Sequence, residues 1–295
     1  MKPDYAYLKT LDYFLQHSNA DEVDVKWFIK TLPKYFPELW SKLQTKEPIR
    51  WLEVGPGPGI KTLEIARTLI EQFDARISFL ALEPCPEWIA VYKANVNAMR
   101  AKGSQFTVRI VQTTWEEFSS GNQSQFDLIT FFHSIYGIAI MNGILTSLKQ
   151  LDRLLKPGGK ACIVIESPTS ALSNIKLKVF PWLYNTPAVS QREIEATLNR
   201  FEMQYRIDSG HAKQRFFVDD FFVSNSSEKL QLLSFIAQSD PRRYTHDVPP
   251  KVKQKIESYV REKIRNGRDG HYVDVSDVFM WVGKRGRGKT SRQRS

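Results

Sequence analysis

The stretch Arg50-Trp51-Leu52-Glu53-Val54-Gly55-Pro56-Gly57-Pro58-Gly59-Ile60-Lys61 constrains the fold more than any other part of the chain. A short apolar run, Trp51, Leu52 and Val54, meets three alternating glycines. The residues that follow, Thr62 to Ile70, carry apolar side chains at helical spacing. Strand, glycine turn and helix are therefore the expected local structures. Glycine reaches positive φ without strain and, having no Cβ, lets a ligand lie against the backbone. The helix start adds unpaired N–H groups and the positive end of the helix dipole. Further along, Ile77-Ser78-Phe79-Leu80-Ala81-Leu82-Glu83-Pro84 reads as a second apolar strand ending in an acid. An acid at the end of the second strand is where an α/β nucleotide-type fold grips ribose hydroxyls. The pair is more specific than either half.

Two cofactor classes use such a pair, the dinucleotides and S-adenosylmethionine. Dinucleotide sites read G-x-G-x-x-G, the last glycine allowing close packing of the helix. Here the spacing is Gly55-x-Gly57-x-Gly59, with Glu53 two residues before the first glycine. This spacing resembles the first motif of class I S-adenosylmethionine-dependent methyltransferases.

Before this stretch, residues 1–48 read as helices that either lid a substrate or simply pack on a sheet. After Glu83 the chain alternates. Pro86 to Arg100 reads as a helix, Phe106 to Val111 as a third strand and Phe126 to Phe132 as a fourth. Ile144 to Leu155 is an amphipathic helix stopped by Lys156-Pro157-Gly158-Gly159, and Lys160 to Ile165 is a fifth strand. Strands alternating with helices across 50–165 predict an α/β, doubly wound, mostly parallel Rossmann-like sheet. Residues 168–187 read as irregular and aromatic. Gln204 to Ser209 and Gln214 to Val218 read as two late strands, residues 228–237 and 250–265 as helices, and Asp274 to Val282 as a closing strand. The expected organisation is one domain over 1–283, divided into an N-terminal lid (1–48), a cofactor core (49–165) and substrate-side elements (166–283).

Hydrophobic residues make up 42% and charged residues 25%, as in an ordinary globular protein. No apolar run approaches the ~20 residues of a membrane span, and the N-terminus lacks the apolar core of a signal peptide. With two cysteines, Cys85 and Cys162, a disulfide framework is not expected and a reducing cytoplasm is. The net charge of +10 suggests nucleic acid until it is located. Six of the positive charges lie in the Gly-rich tail 284–295, which is expected to be a disordered, solubilising extension or a weak polyanion or nuclear-import contact. A nucleic-acid substrate is therefore not expected.

Over nearly its full length the chain resembles the histamine N-methyltransferase-like family. The residues that carry the resemblance are Phe14-Leu15-Gln16-His17-Ser18 followed by Leu32-Pro33, and Glu83-Pro84 followed by Ile89-Ala90-Val91-Tyr92-Lys93. They continue with Thr113-Thr114-Trp115-Glu116, then with Phe126-Asp127-Leu128-Ile129 before His133 and Tyr136, and with Leu230 to Phe235. The resemblance implies cofactor contacts at Gly55, Glu83, Thr114 and Phe132, with Trp88 where the family often carries a polar amide. The substrate side departs from the family. Its acid falls on Ala20, with Asp21 next. Its glutamine is His133, its late asparagine is Ser276, and the tyrosine after Tyr136 is Gly137.

The resulting expectation is a methyltransferase using S-adenosylmethionine, acting on a small-molecule amine or imidazole nitrogen, monomeric, with no membrane or metal requirement. Glu53, Gly55, Gly57, Gly59, Glu83, Trp88, Thr114, Trp115 and Phe132 would hold the cofactor, Trp115 as a flat wall beside adenine. His133 would accept a proton from the amine or merely orient it. Tyr136 would face a cation through its ring or pack in the core. Asp21 would pair with a distal ammonium or cap a helix, and Ser276 would complete the substrate side. The other histidines lack partners at metal-ligand spacing. A hydroxyl or carboxyl acceptor, or a non-catalytic binding module on the same sheet, are the competing readings.

Overall fold

A strand that is apolar on both faces belongs inside a sheet covered on both sides. Strand β1 (Ile49–Val54) meets that condition, with every residue but Arg50 buried, and β4 (Phe126–Phe132) is buried throughout. The structure, a computed structural model, describes residues 8–101, 106–121, 124–136, 144–184, 189–223, 226–237 and 239–284. The other strands are β2 (Ile77–Leu82), β3 (Thr107–Val111), β5 (Leu155–Glu166), β6 (Gln204–Phe217), β7 (Arg265–Gly267) and β8 (Gly270–Gly283). Their hydrogen-bonded order is β3-β2-β1-β4-β5-β8-β6, with β7 paired antiparallel to β8. The pairs β1–β2, β1–β4, β2–β3 and β4–β5 are parallel. Trp51 on β1 is therefore flanked by Phe79 on β2 and Leu128 on β4. The strand order reverses at β1, and in such a sheet the crevice beyond that point takes the ligand.

Helices α1 (Leu8–Gln16), α2 (Ala20–Tyr35) and α3 (Pro37–Gln44) precede β1. Helix α4 (Ile60–Phe73) joins β1 to β2, α5 (Pro86–Ala101) joins β2 to β3, and α6 (Trp115–Gly121) lies between β3 and β4. Helix α7 (Ile144–Leu154) leads into β5. The doubly wound α/β fold expected from the alternation is the observed one.

Beyond β5 the structure corrects the sequence reading. The stretch expected to be irregular forms a helix, Ala171–Tyr184, with Leu172, Ile175 and Val179 buried at helical spacing. The two expected late strands are one, β6. A further helix, Pro241–Asp247, starts at Asp240, whose side chain accepts from the N–H groups of Arg242 and Arg243. Residues 285–295, most of the basic tail, lie outside the described residues. Among the described residues, no helix is long and apolar enough to cross a membrane.

The chain resolves into two compact units, residues 1–30, 165–191 and 209–278, and residues 31–164, 192–208 and 279–295. In the first, Phe216, Phe221, Phe235 and Ile236 form a buried cluster, with Phe14 stacked on Phe235 at 4.9 Å. Its buried polar centre is the side-chain amide of Gln214, which donates to Asp24 and to Asp277, each at 2.7 Å. In the second unit Trp51 donates to Thr130 at 2.8 Å. Burial pushes the Asp127 carboxyl up, but hydrogen bonds from Lys156, Lys42 and the Arg50 N–H outweigh it and hold it low. The β4–β5 register slips between Phe126 and Leu128, and a Cβ on Gly159 would lie 2.8 Å from the Phe126 carbonyl oxygen.

Candidate functional site

The three glycines of the turn all have positive φ, 65° at Gly55, 58° at Gly57 and 74° at Gly59. The Gly55 N–H donates to the Leu82 carbonyl at 2.8 Å, and the Gly59 N–H to that of Pro56 at 3.0 Å. Asn95 on α5 fixes the turn from outside, donating to the Pro58 carbonyl at 2.8 Å. The glycines are not equivalent. A Cβ on Gly59 would sit 1.7 Å from Cε2 of Tyr92, and one on Gly55 would sit 2.7 Å from Cβ of Ser134. A Cβ on Gly57 would meet nothing within 4 Å. The outer two glycines let the turn pack, and the middle one faces open space.

Two acids support this turn. Glu53 is buried on β1, where Thr62 and Tyr92 both donate to it, Tyr92 at 3.5 Å. Burial lifts its carboxyl well above the ordinary range, the Glu83 charge adds to the rise, and the Tyr92 bond opposes it. Burial and the Glu53 charge likewise push the Tyr92 hydroxyl up. Glu83 follows β2 directly. Its carboxylate accepts from the N–H of Gly57 at 2.9 Å and from that of Cys85 at 3.0 Å. Burial raises its pKa, and these two backbone bonds counter the rise. A carboxylate offers about four lone-pair positions, so two acceptor positions remain on Glu83 after the backbone is served.

The other residues singled out in the sequence on the cofactor side lie in the same unit. Trp88 is buried on α5, and Trp115 is buried at the start of α6, edge-on to Phe131 at 5.1 Å. Thr114 caps α6. Its hydroxyl accepts from the Glu117 N–H at 3.3 Å, while Glu117 accepts from the Thr114 N–H at 3.2 Å. This is a capping box, legible in Thr114-Trp115-Glu116-Glu117 but not drawn from it. Phe132 ends β4. His133 follows with φ of 56°, its N–H donating to the Val164 carbonyl at 3.0 Å. The His133 and Tyr136 rings are near parallel, 23° apart with centroids separated by 6.4 Å. Gly137 lies outside the described residues.

Asp21 and Ser276 belong to the other unit. Asp21 stands in the first turn of α2, and the Ser276 carbonyl accepts from the Ser167 N–H at 2.7 Å. The deeply buried acids there are Asp24 and Asp277, which the sequence reading missed. The signal was an acid set between apolar neighbours, as in Val23-Asp24-Val25 and beside Val278.

This donor and acceptor set fits a nucleoside-bearing ligand. It offers a carboxylate at the strand end, an open glycine cradle, and aromatic side chains on α5 and α6. Among the described residues, the buried indole nitrogens of Trp88 and Trp115 and the hydroxyl of Ser134 have no hydrogen-bond partner.

The model of the family described as "Methyltransferase domain" matches residues 26–206. The fold is similar to that of the YcgJ protein from Bacillus subtilis, at 16% identity and a TM-score of 0.50, over 85% of this chain and 99% of that one. A candidate sarcosine dimethylglycine methyltransferase from Galdieria sulphuraria matches at 17% identity and a TM-score of 0.46, over 88% and 85%. A methyltransferase from Geobacter sulfurreducens, solved with S-adenosyl-L-homocysteine, matches at 16% identity and a TM-score of 0.44, over 85% and 91%. No curated protein matches the sequence at a significant level.

Proposed function

The chain belongs to the methyltransferase-domain family, and from that membership we propose that it is an S-adenosylmethionine-dependent N-methyltransferase. Its proposed acceptor is an amine or imidazole nitrogen of a small molecule, as in the histamine N-methyltransferase-like family it resembles. The observation that carries the cofactor half is the joining of the glycine turn to Glu83 through the Gly57 N–H. That bond brings the acid and the open middle glycine to one place.

In this reading Gly55, Gly57 and Gly59 give backbone access, with Glu53 bracing the turn from beneath. Glu83 accepts ribose hydroxyls on its remaining lone pairs. Trp88, Thr114, Trp115 and Phe132 line the base. When bound, S-adenosylmethionine supplies an electrophilic methyl group on a positively charged sulfur. The protein's share is to position the acceptor nitrogen and exclude water, and orientation of that kind lowers a barrier by up to ~7–11 kcal/mol. The acceptor must present a free lone pair. His133, which follows β4, is the proposed acceptor of the amine's proton. Tyr136, stacked beside it, offers its ring to a cation.

The experiment is a calorimetric titration with S-adenosylhomocysteine, followed by a mass-spectrometric screen for methyl transfer to histamine-like amines. Cofactor binding with a product heavier by one methyl group is the expected outcome. Absence of binding would sink the reading. Binding with transfer only to hydroxyls would correct the acceptor.

A further inference from the structure

We propose that the first unit docks on an anionic lipid surface, through the outer face of its helix Pro250–Lys263 and the exposed pair Phe222-Val223. The proposal is independent of the cofactor reading. Its first support is where the charge lies. Residues 241–268 hold nine lysines and arginines against three acids, a net +6. The whole chain carries +10 and residues 284–295 carry six of those charges, so the remainder of the chain is net −2. The second support is the direction in which the charges face. Ile256 and Val260 bury the inner face of the helix, and Lys251, Lys255 and Arg261 are exposed on the other. Among the described residues none of these three is paired with an acid, since Glu257 pairs with Lys229 at 2.9 Å and Glu262 with Lys263 at 2.7 Å. Lys251 and Lys255 stand one turn apart on the helix, where like charges repel, so folding gains nothing from placing them together.

The third support is apolar. Phe222 and Val223 are 44% and 51% exposed, at the end of a short 3-10 helix, Asp219–Phe222. The Arg261 guanidinium lies 5.6 Å from the Phe222 ring, which joins the apolar pair to the basic face. On that face the Lys255 ammonium lies 4.5 Å from the Trp182 ring. From Lys251 to Arg261 the helix rises ~15 Å, so the cations form a stripe with Phe222 at one end. Cations beside exposed apolar side chains match a membrane interface. The apolar groups enter the headgroup boundary and the cations meet anionic headgroups. A nucleic-acid face would instead present flat rings to stack on bases, and Val223, the more exposed of the pair, has none.

The test is co-sedimentation of the full chain with vesicles of phosphatidylcholine alone and of phosphatidylcholine with phosphatidylserine, two to one. Wild type should bind the second and not the first, and high salt should release it, because ions screen exposed charges. The triple variant Lys251→Gln, Lys255→Gln, Arg261→Gln should lose affinity on the order of a hundredfold, from about fivefold per cation. It should melt as wild type does, its three altered side chains being exposed. Val223→Asp should lose about tenfold and keep the salt dependence. Undiminished binding by the triple variant would place the attraction in residues 284–295 and overturn the proposal. So would undiminished binding by Val223→Asp, no preference for the anionic vesicles, or binding of single-stranded RNA without binding of vesicles.

Discussion

The carboxylate of Glu83 accepts a hydrogen bond from the Gly57 N–H at 2.9 Å, tying the end of β2 to the middle of the glycine turn. The residue expected to grip ribose thus also holds the turn in shape before any ligand arrives. Glu83→Ala should therefore weaken S-adenosylhomocysteine binding by more than the ribose contacts alone. Each charged hydrogen bond is worth about 1.5–3 kcal/mol at most. Glu83→Gln, which keeps one acceptor oxygen, should lose less. Calorimetry on the two variants checks the order, and equal losses would contradict the double role.

Glycine substitutions should separate packing from access. Gly59→Ala adds overpacking against Tyr92 of about 1–3 kcal/mol to about 1–2 kcal/mol for a left-handed alanine. Its melting temperature should fall sharply. Gly57→Ala meets nothing within 4 Å, so it should bear only the backbone cost. It should remain folded yet lose cofactor affinity. Thermal unfolding and titration of the same two proteins decide the matter.

Stability should fall with rising pH through Glu53. Its folded pKa lies well above the ordinary 4.5, first through burial and then through the Glu83 charge. The folded protein therefore holds this proton more tightly than the unfolded chain. The stability this confers is complete below the unfolded value and is lost as pH climbs through the folded one. Glu53→Gln keeps an acceptor for Thr62 and Tyr92 without the charge. It should be more stable than wild type at neutral pH, with the advantage vanishing toward pH 4. Urea unfolding at several pH values reads this directly, and a constant difference would refute it.

Gln214→Leu should be among the most damaging substitutions in its unit. Its amide donates to two buried carboxylates, Asp24 and Asp277. Loss of a charge-assisted bond to each costs up to about 1.5–3 kcal/mol per bond. A denaturation midpoint unchanged from wild type would show that the two acids do not depend on Gln214.

Thr114→Ala should cost about 0.5–2 kcal/mol of stability through loss of the α6 cap. If the hydroxyl also meets adenine, affinity for methylthioadenosine should fall as well. Chemical unfolding and titration separate the two effects.

What the sequence by itself determined is the local grammar of the chain. Trp51, Leu52 and Val54 running into Gly55, Gly57 and Gly59 specify strand, turn and helix, because apolar period and glycine freedom are properties of neighbouring residues. The acid at Glu83 was legible for the same reason, standing at the end of an apolar run. The helix Ala171–Tyr184 was lost in the reading because its aromatic residues and Pro181 mask the spacing of Leu172, Ile175 and Val179. Only the tertiary structure decided that Glu83 bonds to Gly57, 26 residues earlier, and that Ser134 rests on Gly55. It also decided that Gln214 joins Asp24 and Asp277 across separations of 190 and 63 residues. Such partners are chosen by strand order and register, which bring together residues that share no window of sequence. Identical side chains in another register would meet other neighbours.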